Sequence, residues 1–304
     1  MQTSPVTAET LSRTVVSVPP LARHADLALN RAANVQMIRH LESGGVSALL
    51  YGGNANLYHQ PISQLAELLS FLQETAADDT LIIPSVGPSY GAMIDQAAIV
   101  RDFEFPTAMV LPQSGICTSA GVATGVRRFV EAYGKPAILY IKQDGYVEVP
   151  DARRLMDEGL ISVIKYACVR EETADDEYLR RLVDVVDPKR IMSGIGEQPA
   201  IVHLRDFGLG GFTSGCICVA PKLSIDMLRA IQAEDFAKAE TIRRIFQPLE
   251  KLRNTLNPIR VLHEAVTLAG IGDMGPMLPL LSNLAAGHHS EVQRAATDLL
   301  AQST

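Results

Sequence analysis

The sequence predicts a closed (β/α)8 TIM barrel followed by a C-terminal helical extension, and three observations point there. Short β-branched apolar segments alternate with amphipathic helical ones from residue 14 to residue 215, giving eight strands with helices between them. No shift in composition divides that span, and beyond residue 224 the pattern is helical only. The competing architecture, an open doubly wound sheet, calls for a glycine-rich turn after the first strand. Val18-Pro19-Pro20 stands at that place instead.

The strands are expected at Thr14–Val18, Ala48–Tyr51, Leu81–Val86, Thr107–Leu111, Pro136–Ile141, Leu160–Tyr166, Arg190–Ser193 and Gly211–Gly215. Helices are expected at Arg31–Leu41, Ile62–Thr75, Gly91–Phe103, Thr118–Tyr133, Asp151–Gly159, Asp176–Val186 and Gln198–Phe207. Leu65, Leu68, Leu69 and Leu72 recur at helical spacing on one face, and Gly134 closes its helix as a C-terminal glycine does. The extension reads as helices over Ser224–Ala233, Glu234–Leu256, Pro258–Ala269, Met277–Leu284 and Ser290–Ala301. Pro248 should kink or split the second of these by removing a backbone donor, whereas Pro258, Pro276 and Pro279 suit helix starts. The division is therefore an arm over 1–13, read as loose, a barrel over 14–223 and an extension over 224–304.

Hydrophobic residues make up 47% of the chain and charged residues 20%, so a large core is available and wholesale disorder is excluded. The formal net charge of −7 argues against nucleic acid as an obligate partner. Cys117, Cys168, Cys216 and Cys218 form no CxxC pair and read as reduced, packed thiols. Cys216 and Cys218 would lie on the continuation of the eighth strand. Met1–Arg13 lacks the basic-then-apolar layout of a signal peptide, and no apolar run reaches membrane-spanning length. The expected location is the cytoplasm, with no membrane partner. His288 and His289 have no companions that would make a metal site, and the acidic run Glu171–Glu177 reads as solvated surface.

Barrel chemistry sits at the C-terminal ends of the strands. Those ends deliver Gly52-Gly53-Asn54-Ala55-Asn56, Ser85-Val86-Gly87, Gln113-Ser114-Gly115, Tyr140, Lys165, Ser193-Gly194 and Thr213-Ser214-Gly215. Asn56 is read as a turn asparagine in left-handed backbone. In Leu160–Tyr166, Ile161, Val163 and Lys165 share one face by the period-two rule. Taken alone, this is a strand-end lysine that snorkels to water. At a barrel mouth, burial disfavours the ammonium and leaves a neutral amine, the form that attacks a ketone. Among the strand ends only Lys165 is a carbonyl nucleophile, and only Tyr140 is a phenol able to relay the proton.

These features, spread along nearly the whole chain, resemble the dihydrodipicolinate synthase / N-acetylneuraminate lyase family of class I, Schiff-base lyases. Ile-Ser-Val-Ile-Lys-Tyr-Ala (161–167) is similar to the family's Schiff-base strand, and Ile-Leu-Tyr (138–140) to its tyrosine strand. Gly52–Asn56 occupies the place of its carboxylate-binding loop. Met192-Ser193-Gly194 and Gly211–Gly215 stand where its later glycine-rich strand ends belong, and Pro258-Ile259-Arg260-Val261 resembles its proline-led C-terminal helix. The resemblance implies a homo-oligomeric barrel, dimer or tetramer. It implies an imine between Lys165 and the keto carbon of pyruvate or a 2-oxo acid, Tyr140 as proton relay, and no cofactor or metal. Gly53 and Asn54 would hold the 2-oxo acid's carboxylate. Gln113, Ser114, Gly194, Thr213 and Ser214 would line the substrate.

The sequence also departs from that family. Gly53 and Asn54 stand in place of loop threonines, Gln113 and Ser114 in place of a tyrosine supplied by a neighbouring subunit. Ile141-Lys142-Gln143-Asp144-Gly145 lacks the arginine and proline that follow the synthase tyrosine. The resemblance therefore points to an atypical member acting on a 2-oxo or sugar acid, by aldol cleavage or dehydration, rather than to a true dihydrodipicolinate synthase. Lys142 and Asp144 read either as the basic–acidic pair of the sugar-acid dehydratase branch or as solvated turn residues. One alternative function is a catalytically silent 2-oxo acid sensor of the same fold. Another is a phosphate-binding barrel, hinted at only by Ser193-Gly194-Ile195-Gly196.

Overall fold

The computed structural model describes residues 1–303. In chain order the barrel strands are β1 (Val16–Ser17), β2 (Ala48–Tyr51), β3 (Leu81–Val86), β4 (Met109–Val110), β5 (Ala137–Ile141), β6 (Ile161–Tyr166), β7 (Ile191–Ser193) and β8 (Gly211–Ser214). They pair in sequence order, all parallel, and β8 returns to β1 through Val16↔Thr213 and Ser17↔Ser214, closing the ring. Nearly every strand residue is buried, as expected where side chains fill the interior and helices cover the outside.

Helices α2 (Arg31–Ser43), α3 (Leu65–Thr75), α4 (Tyr90–Arg101), α5 (Ser119–Tyr133), α6 (Val149–Asp157), α7 (Glu177–Val183) and α8 (Ala200–Asp206) form the outer layer; α1 is the N-terminal helix Ala8–Arg13. Their ends follow local chemistry. Thr118 caps α5 by accepting from the Gly121 N–H at 3.2 Å, and Gly134, at φ +83°, donates to the Val130 carbonyl. The extension comprises α9 (Pro221–Gln232), α10 (Phe236–Thr255), α11 (Pro258–Leu268) and α12 (His289–Ala301). Asn257 caps α11 by accepting from the N–H groups of Ile259 and Arg260, with Pro258 at the first helical position.

Several expectations are corrected. Residues 8–13 are helical rather than loose: a Thr7/Thr10 capping box starts α1, and buried Leu11 sets its carbonyl against the N-terminal end of β8. A Cβ on Gly211 would stand 2.4 Å from that carbonyl oxygen, so only glycine lets the two backbones meet. Pro248 does not split α10, which runs from Phe236 to Thr255 with the proline inside it. No helix forms over Met277–Leu284. Pro276 and Pro279 remove donors there and Leu278 precedes a proline, while Arg260 donates to the carbonyls of Ser282 and Asn283 at 2.7 and 2.6 Å. Cys216 and Cys218 pack as expected, fully buried, but on a 3₁₀ turn after β8 rather than on the strand itself.

Candidate active site

Tyr140 and Lys165 are register partners on β5 and β6, so both project from the same face of the sheet. Lys165 is 5% exposed, and its Nζ lies 4.5 Å from the centroid of the Tyr140 ring. Burial lowers its pKa from 10.5 to about 7, and the nearby cations Lys142 and Arg253 push the same way. A substantial fraction of the amine is therefore neutral at physiological pH. Burial raises the Tyr140 hydroxyl well above the phenol range, reinforced by Tyr58 and Cys168 and opposed by Arg253. The phenol stays protonated and can give or return a proton as a neutral acid. Gly194, just past β7, is what makes room. A Cβ there would stand 2.7 Å from Ala167 Cβ and 3.1 Å from Lys165 Cε.

On the opposite side of the mouth, the β2 loop meets the end of β8. Asn54 donates from Nδ2 to the Val18 carbonyl at 2.9 Å, and Gly53 lies against the ring of Tyr58. Asn56, at φ +56°, takes the left-handed conformation expected of it. Thr213 and Ser214 are both 1% exposed. The Ser214 hydroxyl accepts from the Ile217 N–H at 3.0 Å, and its carbonyl accepts from the Val18 N–H. Gln113 and Ser114 lie on the loop between β4 and α5, where Ser114 is exposed. The Gln113 N–H donates to the Tyr146 hydroxyl at 3.4 Å, linking that loop to the mouth. A groove of about 1010 Å³ runs beside it, lined by Tyr90, Met93, Gln113, Ile116, Val126 and Tyr146.

Sequence reasoning missed further contributors to this region. Tyr58 neighbours Tyr140 and Tyr146, forming a set of phenols above the barrel, and burial pushes its pKa up to about 12. Arg253 and Glu250 arrive from α10. Glu250 Oε1 accepts the Glu197 N–H at 2.9 Å, and Glu197 Oε1 accepts the Ser224 hydroxyl at 2.7 Å. Burial and the adjacent Glu197 push the Glu250 carboxyl well above its ordinary value. A signal was present: Phe246, Leu249, Glu250 and Arg253 are all buried on one stripe of α10, and charged residues within an apolar stripe need a partner.

The acidic run also needs correction, because Asp176 is fully buried. It caps α7 through the Leu179 N–H, accepts the Tyr166 hydroxyl at 2.6 Å and pairs with Arg170 at 3.0 Å. Burial works against its carboxylate, but the Arg170 and Tyr166 bonds outweigh that and leave its pKa lowered. Arg170 also holds Asp144 at 2.6 Å; Asp144 and Lys142 are both exposed. No metal-ligating cluster occurs among the described residues.

A closed parallel barrel with a buried amine at the end of its sixth strand is the framework on which known proteins can be compared. No family model matches the sequence, and no curated protein sequence matches it either. Solved structures do. A dihydrodipicolinate synthase from Oceanobacillus iheyensis superposes with a TM-score of 0.84 at 19% identity, covering 95% of this chain and 97% of its own. A sialic acid aldolase from Ruminococcus gnavus gives 0.83 at 13% identity, covering 95% and 97%. A prophage protein of the dihydrodipicolinic acid synthase family from E. coli K12, solved in complex with pyruvate, gives 0.80 at 17% identity, covering 94% and 98%. The structural neighbours are thus dihydrodipicolinate synthase family members and a sialic acid aldolase, and what they share with this chain is the fold.

Proposed function

We propose that the chain is a Schiff-base-forming lyase, an aldolase or dehydratase, acting on pyruvate or a 2-oxo sugar acid through Lys165. The observation that carries this reading is the buried Lys165 amine, held near neutrality beside the Tyr140 phenol. The neutral amine adds to the 2-keto carbon. Tyr140 protonates the departing oxygen of the carbinolamine, and loss of water leaves the imine. The protonated imine then takes up the electron pair released when a neighbouring C–C bond breaks, or when a proton leaves C3 before β-elimination of hydroxide. Hydrolysis returns Lys165, so no metal or organic cofactor is required. Gly53 and Asn54 take the substrate carboxylate in this reading, and Gly194, Thr213, Ser214, Gln113 and Ser114 border the rest. The pyruvate complex of a structural neighbour supports a 2-oxo acid as ligand.

We assign the chemistry to residues 14–223 with the extension packed against them, and the protein to the cytoplasm as a homo-oligomer. No helix among the described residues is long and apolar enough to cross a membrane. The groove beside α4 and α5, with Tyr90 57% and Ile116 86% exposed, supports an interface between copies. One observation favours the silent-sensor alternative: the Ser214 hydroxyl and the Asn54 amide are already engaged with backbone groups. Borohydride reduction in the presence of pyruvate distinguishes these cases. A reduced adduct on Lys165 is expected, and its absence would refute imine chemistry. An adduct without turnover across a panel of 2-oxo sugar acids and aldehydes would identify the sensor.

A further inference from the structure

Arg253 is carried by the C-terminal extension, yet it ends at the barrel mouth. It is 9% exposed. Its guanidinium lies against Gly215, the residue after β8: a Cβ on that glycine would stand 2.8 Å from Arg253 Nη2 and 2.9 Å from Cζ. The same Cβ would stand 3.0 Å from Asn54 Nδ2. A helix near the chain's end and a loop near its start thus bring two nitrogen donor groups over one glycine, at the level where β1, β2 and β8 finish. Gly215 has φ −88° and ψ −40°, which any residue can adopt, so it is the space it leaves that matters here.

The guanidinium is poorly satisfied by the protein. Nε donates to the Pro258 carbonyl at 3.3 Å and Nη1 approaches the Cys216 sulfur at 3.9 Å, both neutral and distant partners for a group with five donors. Glu250 and Glu197 act on it through space, without an ion-pair contact. Their Oε1 atoms accept the Glu197 N–H and the Ser224 hydroxyl, and their Oε2 atoms are buried without a hydrogen-bond partner. Burial works against the guanidinium, but Cys216, Glu250 and Glu197 outweigh it and leave its pKa raised, and its spare donors remain open to an anion. A planar carboxylate matches the fork of a guanidinium, which a point-charge amine does not.

We propose that Arg253 is a carboxylate-binding residue of the barrel mouth, gripping the 2-oxo acid's carboxylate together with the Asn54 amide while the keto carbon faces Lys165. This rests on the imine reading for its substrate, and it makes the extension part of the specificity apparatus. The Lys165 side of the mouth handles the carbonyl. The β8 side, through Arg253, selects for an acid.

The test uses the full chain and two kinds of probe. Oxamate, a pyruvate isostere whose amide carbonyl resists imine formation, is titrated by calorimetry. Pyruvate and its neutral amide, pyruvamide, are trapped on Lys165 by borohydride. Arg253→Met is expected to weaken oxamate by about 10- to 100-fold, the range of one charge-assisted hydrogen-bonded contact. It should depress pyruvate trapping more than pyruvamide trapping, because the loss of its effect on Lys165 touches both ketones alike while the loss of the carboxylate contact touches pyruvate only. Arg253→Lys should restore part of the loss. Gly215→Ala, which keeps every charge but pushes a methyl into the guanidinium, should weaken oxamate in the same direction. If Arg253→Met does not fold, as judged by circular dichroism, these last two variants decide. Unchanged oxamate affinity, equal loss of pyruvate and pyruvamide trapping, or no oxamate binding by the wild type would each overturn the assignment. Should the wild type trap neither ketone yet bind oxamate through Arg253, the lyase reading falls and the carboxylate site stands.

Discussion

Replacing Lys165 by methionine should stabilise the fold, and by an amount that depends on pH. The side chain is 5% exposed and its pKa falls from 10.5 to about 7 on folding. Below pH 7 the folded and unfolded chains both carry the proton, and the folded state bears the full cost of burying it, about 5 kcal/mol for a fall of that size. Between pH 7 and 10.5 the unfolded chain binds more protons than the folded one, so wild-type stability rises with pH. Above 10.5 the two states match and the penalty is gone. Methionine keeps the length and apolar stem without the titration. The gain of Lys165→Met over wild type should therefore be large near pH 6 and should shrink by about 3 kcal/mol by pH 9.5. Denaturant unfolding of both proteins at the two pH values measures it. A difference that stays constant with pH would show that the amine is not desolvated, and the argument for a neutral nucleophile would fail with it.

Three other outcomes are expected. Tyr140→Phe retains the ring beside Lys165 but removes the proton relay, so the rate of borohydride-trappable imine formation with pyruvate should fall by about 10²-fold or more, with the melting temperature nearly unchanged. Asp176→Ala strips the partner from Arg170 and Tyr166 and uncaps α7, and should cost about 3–5 kcal/mol in urea unfolding at pH 7. Because the Asp176 pKa is lowered by folding, that contribution is present at neutral pH and lost as pH falls through the folded value, so the two proteins should converge in acid. Gly196→Ala places a Cβ 2.1 Å from Glu250 Oε1 at a φ of +94°, and should destabilise by about 2–4 kcal/mol through strain and displacement of α10.

What could be read from the sequence was whatever local spacing determines. Ala48–Tyr51 and Leu81–Val86 match their strands to the residue, because a β-branched or apolar run bounded by polar turns leaves few alternatives. Lys165 and Tyr140 could be placed at the mouth because the end of a barrel strand fixes where its side chains point. β4 is shorter than Thr107–Leu111 suggested, since only Met109 and Val110 find ladder partners on β3 and β5. Asp176 sits in a run of acids that composition assigns to solvent; its burial depends on Tyr166 and Arg170, which local spacing does not bring to it. Met277–Leu284 has helical periodicity, but Pro276, Pro279 and the carbonyl bonds from Arg260 override it. Arg253 was hidden for a similar reason. Its stripe on α10 was visible in sequence, but the glycine it rests on belongs to another layer of the fold.

That placement sets an order of assembly. The strand bearing Lys165 leaves the ribosome long before α10 has been synthesised, so a nascent barrel can close its ring while its mouth still lacks the guanidinium. The amine then sits in a field different from that of the finished protein. Only once α10 docks on the turns after β7 and β8 is the guanidinium in place, so the electrostatic surroundings of Lys165 are completed by a segment made well after its own strand.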